Sequence, residues 1–494
     1  MLTESEIKKF ISDDMASVRK RLAGVGQRYY EGEHDILKHR LFYFNADGNL
    51  VEDTARSNVK ISHPFFTELT EQISAYMLSF DKNPIRAKET SEETTSELQE
   101  QLDLYFDDDF WAEIGDLICD TYSKGFGYIY GYKDENDKLV FECADSMGIV
   151  EVRENDTDSK SKHIIYYYTD RIEKGKKIIK RIQVWDKEQV YFYVQNGTHS
   201  KIELDKDVEV NPRPHVVFTD EKSNQKMGYP LGYIPFWRLD NNKKQISGLK
   251  PIKSLIDDYD MMMCGLSNNL ADFDTPLHVV KGFQGDNLDE LQQNLKTKKI
   301  IGTDENGGVE VNTIDIPYEA RKTKAEIDEK NIYRFGMGLN TNGLRDTSSA
   351  TTNIAIKAAY SLLDMKANKL EKRLKRLLKD IVEVVLDEIN EEQKTGYSVS
   401  DIYFDFDRAL LTNESENIQN KKIEAETKQI RITTILNIAV NVGDEQTLKA
   451  ICEEMEWDFE TLKKQVEQMK STGTADARQI LDAVNLESGD DVNE

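Results

Sequence analysis

Asn353–Asn390, NIAIKAAYSLLDMKANKLEKRLKRLLKDIVEVVLDEIN, carries Leu363, Leu370, Leu374, Leu377, Ile381 and Val385 at spacings of three, four and seven, uninterrupted by glycine or proline. Those spacings place the six side chains on one face of an α-helix. At 1.5 Å per residue the helix would be roughly 55 Å long, several times the usual three or four turns, so it must span more than a small core. Directly before it lies a Gly/Asn/Ser/Thr-rich stretch suited to a loop. A long rod behind a loop is a mechanical arrangement.

The same helix holds the densest positive region, Lys366, Lys369, Lys372, Arg373, Lys375, Arg376 and Lys379. Asp364, Glu371 and Asp380 interleave at helical spacing, so ion pairs within the helix and between subunits are the first reading and contact with phosphate the second.

Working outward, 494 residues suffice for two to four modules, and 32% charged residues against 38% apolar ones point to a large solvated surface. The net charge of −26 argues against a protein that grips nucleic acid, which needs clustered Lys and Arg. An acidic surface is still compatible with a conduit through which a duplex slides, because sliding is hindered by deep electrostatic minima. Cys119, Cys143, Cys264 and Cys452 are scattered and read as reduced structural thiols. No run approaches the 18 apolar residues of a membrane span, and the N-terminus lacks a leader pattern, so a cytosolic product is expected.

Residues 1–126 read as mostly helical, with Phe66, Leu69, Ile73, Tyr76 and Met77 on one helix face and Trp111, Ile114 and Ile118 on another. Glu89–Gln101, acidic and rich in Ser and Thr, reads as an exposed connector. Residues 127–245 switch to β periodicity and predict a meander of antiparallel hairpins up to about Phe218. Its tyrosine-rich strand Ile164–Tyr168 reads as cover for a core or an intersubunit face rather than a stacking platform for bases. A helix follows in 246–273, with Pro251 in its first turn and Met261–Met263 as packing material. Residues 274–317 form a small α/β insertion, bracketed by a second helix in 318–337. Beyond the loop, 338–352, and the long helix, 353–390, come strands in 391–415 that rejoin the earlier sheet. A helical module in 416–470 and an acidic tail, 471–494, complete an α+β, predominantly helical chain.

There is no phosphate loop, HExxH, GxSxG or zinc-type Cys/His cluster. His34 and His39 lie closest among the histidines, without a ligand pattern around them. Asp107–Asp109, Asp257 with Asp258, and Asp405 with Asp407 read as solvated faces or helix N-terminal charges, not a metal site for nuclease chemistry. Neither a catalytic residue, a metal ligand nor a cofactor is expected.

The order of parts resembles the portal proteins, or head-to-tail connectors, of tailed siphophages of Gram-positive hosts. Phe335–Leu374, FGMGLNTNGLRDTSSATTNIAIKAAYSLLDMKANKLEKRL, looks like the family's succession of helix end, tunnel loop and long helix. Arg28–Leu37, RYYEGEHDIL, and Asn58–Ile85 are similar to its N-terminal segments. One departure is that Thr351, Thr352 and Asn353 stand where relatives usually carry a Ser-Gly pair.

The resemblance implies a homo-oligomeric ring, typically of twelve subunits, at the portal vertex of the virion capsid. Double-stranded DNA passes through it non-specifically in packaging and ejection. Terminase, a head-completion adaptor, and scaffolding and major capsid proteins are the implied partners, with no membrane involved. Residues 1–126 and 127–245 would be the wing, 246–273 and 318–337 the stem helices, 274–317 the clip, and 416–470 the crown. Gly338, Asn340, Thr341, Asn342, Gly343, Leu344, Arg345, Asp346, Thr347, Ser348, Ser349, Thr351 and Thr352 would line the channel at the tunnel loop. Lys330 and Arg334, one turn apart, are the candidate lumenal basic pair, with intersubunit ion pairing as the other reading. Lys296, Lys298, Lys299, Asp304 and Glu305 are the candidate docking residues of the clip. The rivals are a helical scaffold or adaptor of a capsid or secretion complex, and a nuclease or packaging ATPase.

Overall fold

A computed structural model describes residues 2–54, 56–88, 92–134, 137–155, 161–173, 177–197, 200–219, 226–273, 277–281, 308–312, 318–340, 353–408, 422–423, 426–435, 437, 444–455 and 459. The chain divides into two compact units, Met1–Ser348 with Ala358–Leu410, and Ser349–Lys357 with Leu411–Glu494.

In the first unit, helices α1 (Glu4–Ala16) and α2 (Val18–Tyr30) precede a hairpin of β1 (Phe42–Phe44) and β2 (Leu50–Glu52). Helix α3 (Phe65–Met77) and strand β3 (Ile85–Ala87) follow, then α4 (Glu92–Tyr105) and α5 (Asp108–Lys124). The β-rich region runs β4 (Phe126–Lys133), β5 (Leu139–Ala144), β6 (Ile149–Val152), β7 (His163–Glu173), β8 (Lys177–Trp185), β9 (Gln189–Asn196), β10 (Ile202–Leu204), β11 (Arg213–Pro214), β12 (Val216–Thr219), β13 (Lys226–Tyr229) and β14 (Phe236–Asp240). Helix α6 (Lys253–Phe273) and α7 (Tyr318–Gly336) flank an antiparallel pair, β15 (Leu277–Lys281) and β16 (Gly308–Asn312). Helix α8 spans Asn353–Gln393, contributing to this unit from Ala358 onward, and β17 (Ile402–Phe404) closes it. In the second unit, residues 426–435 are helical and α9 (Asp444–Met455) buries Ile451 and Cys452.

Helix α8 supplies the largest share of the core. Leu363, Leu370, Leu374, Leu377, Ile381 and Val385 are buried, and so are Ala367, Leu378, Val382, Leu386 and Ile389. The stripe therefore widens from two positions per heptad to three, as a helix facing a globular core requires. Each fully buried aliphatic side chain contributes about 1.5–3 kcal/mol of transfer free energy. Phe66, Leu69 and Ile73 of α3 and Ile114 and Ile118 of α5 meet that stripe in one continuous cluster. Polar ties fix the far end of α8, where Glu388 accepts from Tyr105 Oη at 2.9 Å, from Leu139 N–H at 3.2 Å and from Lys133 Nζ at 2.8 Å.

Several expectations need correcting. The β region is not one meander: β4 pairs with β5 and β14 in a three-stranded sheet, while β6 to β10 form a second sheet joined by β11. The break falls at Ser146–Gly148, where Lys20 of α2 donates to successive carbonyls, with Nζ 2.8 Å from Ser146 O and 2.9 Å from Met147 O and from Ile149 O at the start of β6. Burial pulls that ammonium down to about 8, against Asp14 beside it. Within Glu89–Gln101 the connector is largely helix, since Leu98, Leu102 and Tyr105 of α4 recur at spacings of four and three and are buried beneath its charged face. Ile402–Phe404 joins neither β sheet but pairs with β3, Ile402 opposite Ala87. Residues 1–126 are mostly helical, as expected, and also contain the β1–β2 hairpin and β3. Pro251 lies two residues before α6 rather than in its first turn, and Met261 is exposed rather than packed.

Candidate functional site

The chain leaves α7 through a left-handed turn. Met337 has φ of +55°. Its N–H donates to Arg334 O at 3.3 Å, and Gly338 N–H donates to Tyr333 O at 3.0 Å, the bond pair of a Schellman cap. Gly336 and Gly338 flank the left-handed position without occupying it, and close packing explains them. A Cβ on Gly336 would lie 2.6 Å from Leu69 Cδ1, and one on Gly338 would lie 2.0 Å from Leu69 Cδ2. Leu69 of α3 thus sits against both glycines.

One turn further along α3, the Gln72 amide clamps the next residue from both sides. Its Nε2 donates to Leu339 O at 2.9 Å, and its Oε1 accepts from Leu339 N–H at 2.9 Å. Asn340 Nδ2 then donates to Glu329 Oε1 at 3.3 Å. From α8, Lys366 Nζ donates to Gly336 O at 3.1 Å and lies 4.0 Å from the ring centroid of Tyr122, whose hydroxyl donates to the same carbonyl at 3.4 Å. A cation at a helix C-terminus is favoured by the helix dipole. Burial nevertheless pulls the Lys366 ammonium down to about 7. Helices α3, α5, α7 and α8 therefore converge on the root of the 338–352 stretch and hold it at both backbone and side-chain level.

Of the expected channel residues, Gly338 and Asn340 belong to this root. Thr341, Asn342, Gly343, Leu344, Arg345, Asp346, Thr347, Ser348, Ser349, Thr351 and Thr352 lie outside the described residues, as do Lys296, Lys298, Lys299, Asp304 and Glu305. Lys330 and Arg334 are exposed on α7, and among the described residues neither enters an ion pair. The basic stretch of α8 divides: Lys366 is half-buried against Gly336 and Tyr122, Lys375 pairs with Glu371 at 2.8 Å, and Lys369, Lys372, Arg376 and Lys379 are exposed. Asp364 and Glu371 are both engaged by Arg408, a partner from outside the helix.

The sequence reading missed Leu69, Gln72, Tyr122 and Lys366 as a group. The tight Gly336-Met337-Gly338 spacing was the available signal. It also missed a buried polar centre on α6. Asp260, fully buried, takes His34 Nδ1 at 2.6 Å, His63 Nδ1 at 2.8 Å and the His63 N–H at 2.9 Å. Burial pushes its carboxyl up, but the His34 and His63 hydrogen bonds outweigh that and hold it below the usual carboxylate range. The signal was an acid in the apolar stripe Ile252, Ile256, Asp260, Cys264. Two of the three carboxylate groupings have structural roles: Asp107 caps α5 at Phe110 N–H, 3.0 Å, Asp257 pairs with Lys253 at 2.7 Å, and Asp258 with Lys324 at 2.5 Å.

Residues 9–471 match the family model described as phage portal protein, SPP1 Gp6-like. The chain is 25% identical over 398 residues to a protein named portal protein from Bacillus phage SPP1, covering 80% of this chain and 76% of that protein. It is 24% identical over 394 residues to a portal protein of Clostridium phage phiCD119, covering 77% of this chain and 82% of the relative.

Proposed function

Because the chain belongs to the SPP1 Gp6-like family of phage portal proteins, we propose that it forms a ring at one capsid vertex through which double-stranded DNA is packaged and ejected. The match across residues 9–471 carries this reading, since it spans most of the chain rather than one motif. A portal role in DNA packaging is favoured over that of a helical scaffold or adaptor. In our reading the ring has twelve copies, is made in the host cytoplasm and breaks no bond itself. An ATP-driven terminase supplies force, docking on the 274–317 clip through Lys296, Lys298, Lys299, Asp304 and Glu305, and a head-completion adaptor takes its place later.

The channel's narrowest point is assigned to residues 338–352. Small polar side chains and the opposed charges of Arg345 and Asp346 make short, weak contacts with phosphate, which suits sliding better than holding. The root geometry supports this assignment: a segment that bears on moving DNA needs a fixed base, and Leu69, Gln72 and Lys366 provide one. The exposed Lys330 and Arg334 fit a lumenal pair below it.

Electron microscopy of the purified chain tests the assembly: rings with a central hole are expected, and monomers or filaments would overturn it. Inserting three glycines after Asn342 tests the loop. Rings should persist while packaged DNA per particle falls; normal packaging would remove the loop from the lumen.

A further inference from the structure

In the β1–β2 hairpin, Phe42 pairs with Glu52, Tyr43 with Val51 and Phe44 with Leu50, and all six residues are exposed. Alternation puts Phe42, Phe44, Leu50 and Glu52 on one face and Tyr43 and Val51 on the other. Phe44 is 73% exposed and Leu50 61%. An ordinary half-buried hairpin shows water a polar face, whereas this one shows it apolar side chains on both, with Glu52 as the single charged strand residue. The three aromatic rings alone leave on the order of 300 Å² in solvent, divided between the two faces. A lone two-stranded hairpin is marginal in water, so a cover is required.

Two observations select a second copy of this chain as that cover. The first is charge. Arg40 pairs with Glu52 at 3.4 Å and Arg56 with Asp53 at 2.5 Å, leaving Asp47 as the remaining charged residue between positions 40 and 56. On a chain of net charge −26, this nearly neutral element is a place where another copy meets little repulsion.

The second is position. Ser57 N–H donates to Asp272 at 3.2 Å, Val59 N–H to Asn268 at 2.6 Å and Ile61 N–H to Cys264 Sγ at 3.2 Å. The acceptors are four residues apart on one side of α6, so the segment leaving the hairpin is laid along that helix and fixes the hairpin at the helix's C-terminal end. At the same end Leu270 of α6 and Tyr318 of α7 are 54% and 53% exposed. In a ring the giving and receiving patches are different surfaces of one chain, so the hairpin of one copy can meet the α6–α7 pair of the next.

We propose that the β1–β2 hairpin is an intersubunit arm that docks on the α6–α7 pair of the neighbouring copy, with Leu270 and Tyr318 as receiving side chains. This rests on the ring reading above. The test places p-benzoylphenylalanine at position 44 of the full chain and maps photo-crosslinks in isotope-mixed oligomers. Crosslinks between copies, into residues 253–273 or 318–336, are expected. Crosslinks within one copy, as to its own 274–317 segment, crosslinks elsewhere, or none in intact rings would overturn the arm and leave the ring standing. A chain that never assembles overturns both.

As a second measurement, the double variant Phe44→Asp, Leu50→Asp should keep its unfolding temperature as a monomer. Its ring fraction at fixed concentration should fall about tenfold or more, as loss of buried anchors does. An unchanged ring fraction counts against the proposal.

Discussion

Lys366 combines two opposing effects at one residue. Its ammonium satisfies the Gly336 carbonyl at a helix end, and its burial penalises the charge enough to bring the group down to about 7. The free chain holds that proton to about pH 10.4, so between these values the unfolded state binds more protons than the folded one and stability rises with pH. Lys366→Met removes the group. The unfolding free energy of wild type relative to Lys366→Met should therefore climb by up to about 1.4 kcal/mol per pH unit from pH 7 towards pH 10, and level off below pH 7. Denaturant unfolding at four or five pH values measures it, and a flat difference would mean that the ammonium is solvated. Sequence had placed Lys366 among seven cations of one ridge, because composition and spacing do not tell a half-buried lysine from an exposed one three residues away. The same limit hid Asp260, whose role depends on His34 and His63 arriving from distant parts of the chain.

At the scale of elements, apolar periodicity carried well wherever one face meets the core. The expected faces of α3 and α5 are buried, as is that of the 353–390 stretch. It failed where pairing is non-local. β14 completes the β4 sheet from a hundred residues away, and β3 with β17 from three hundred, and neither short strand announces its partner. The glycines at 336 and 338 mark the loop root in the sequence, but that they fit against Leu69 is a property of α3. The link between α3 and the α7 exit makes a direct prediction. Gln72→Ala leaves the Leu339 N–H and C=O without their partner, which costs about 1–3 kcal/mol where water cannot replace it. Hydrogen exchange should show the Leu339 amide losing protection while the α8 core amides keep theirs. Unchanged protection at Leu339 would remove Gln72 from the anchoring of the loop.

For the whole molecule, assembly must overcome a net charge of −26 on every copy. Two forces compete at any contact between copies. Repulsion of the like net charges extends over the Debye length, about 30 Å at 0.01 M salt and about 10 Å at 0.1 M, so salt weakens it strongly. Attraction between exposed ion pairs, the first reading of Lys369, Lys372, Arg376 and Lys379, is worth only about 0–1 kcal/mol each and is screened as well. If apolar contacts such as the hairpin arm hold the ring, salt removes the opposing term and leaves the favourable one, because hydrophobic burial does not depend on charge. The ring fraction at fixed protein concentration should then increase between 0.01 and 0.15 M sodium chloride, measured by analytical ultracentrifugation. Rings that dissociate over this range would return the interface to ion pairing by the α8 cations, and the substitution Arg376→Gln with Lys379→Gln should then abolish assembly at low salt.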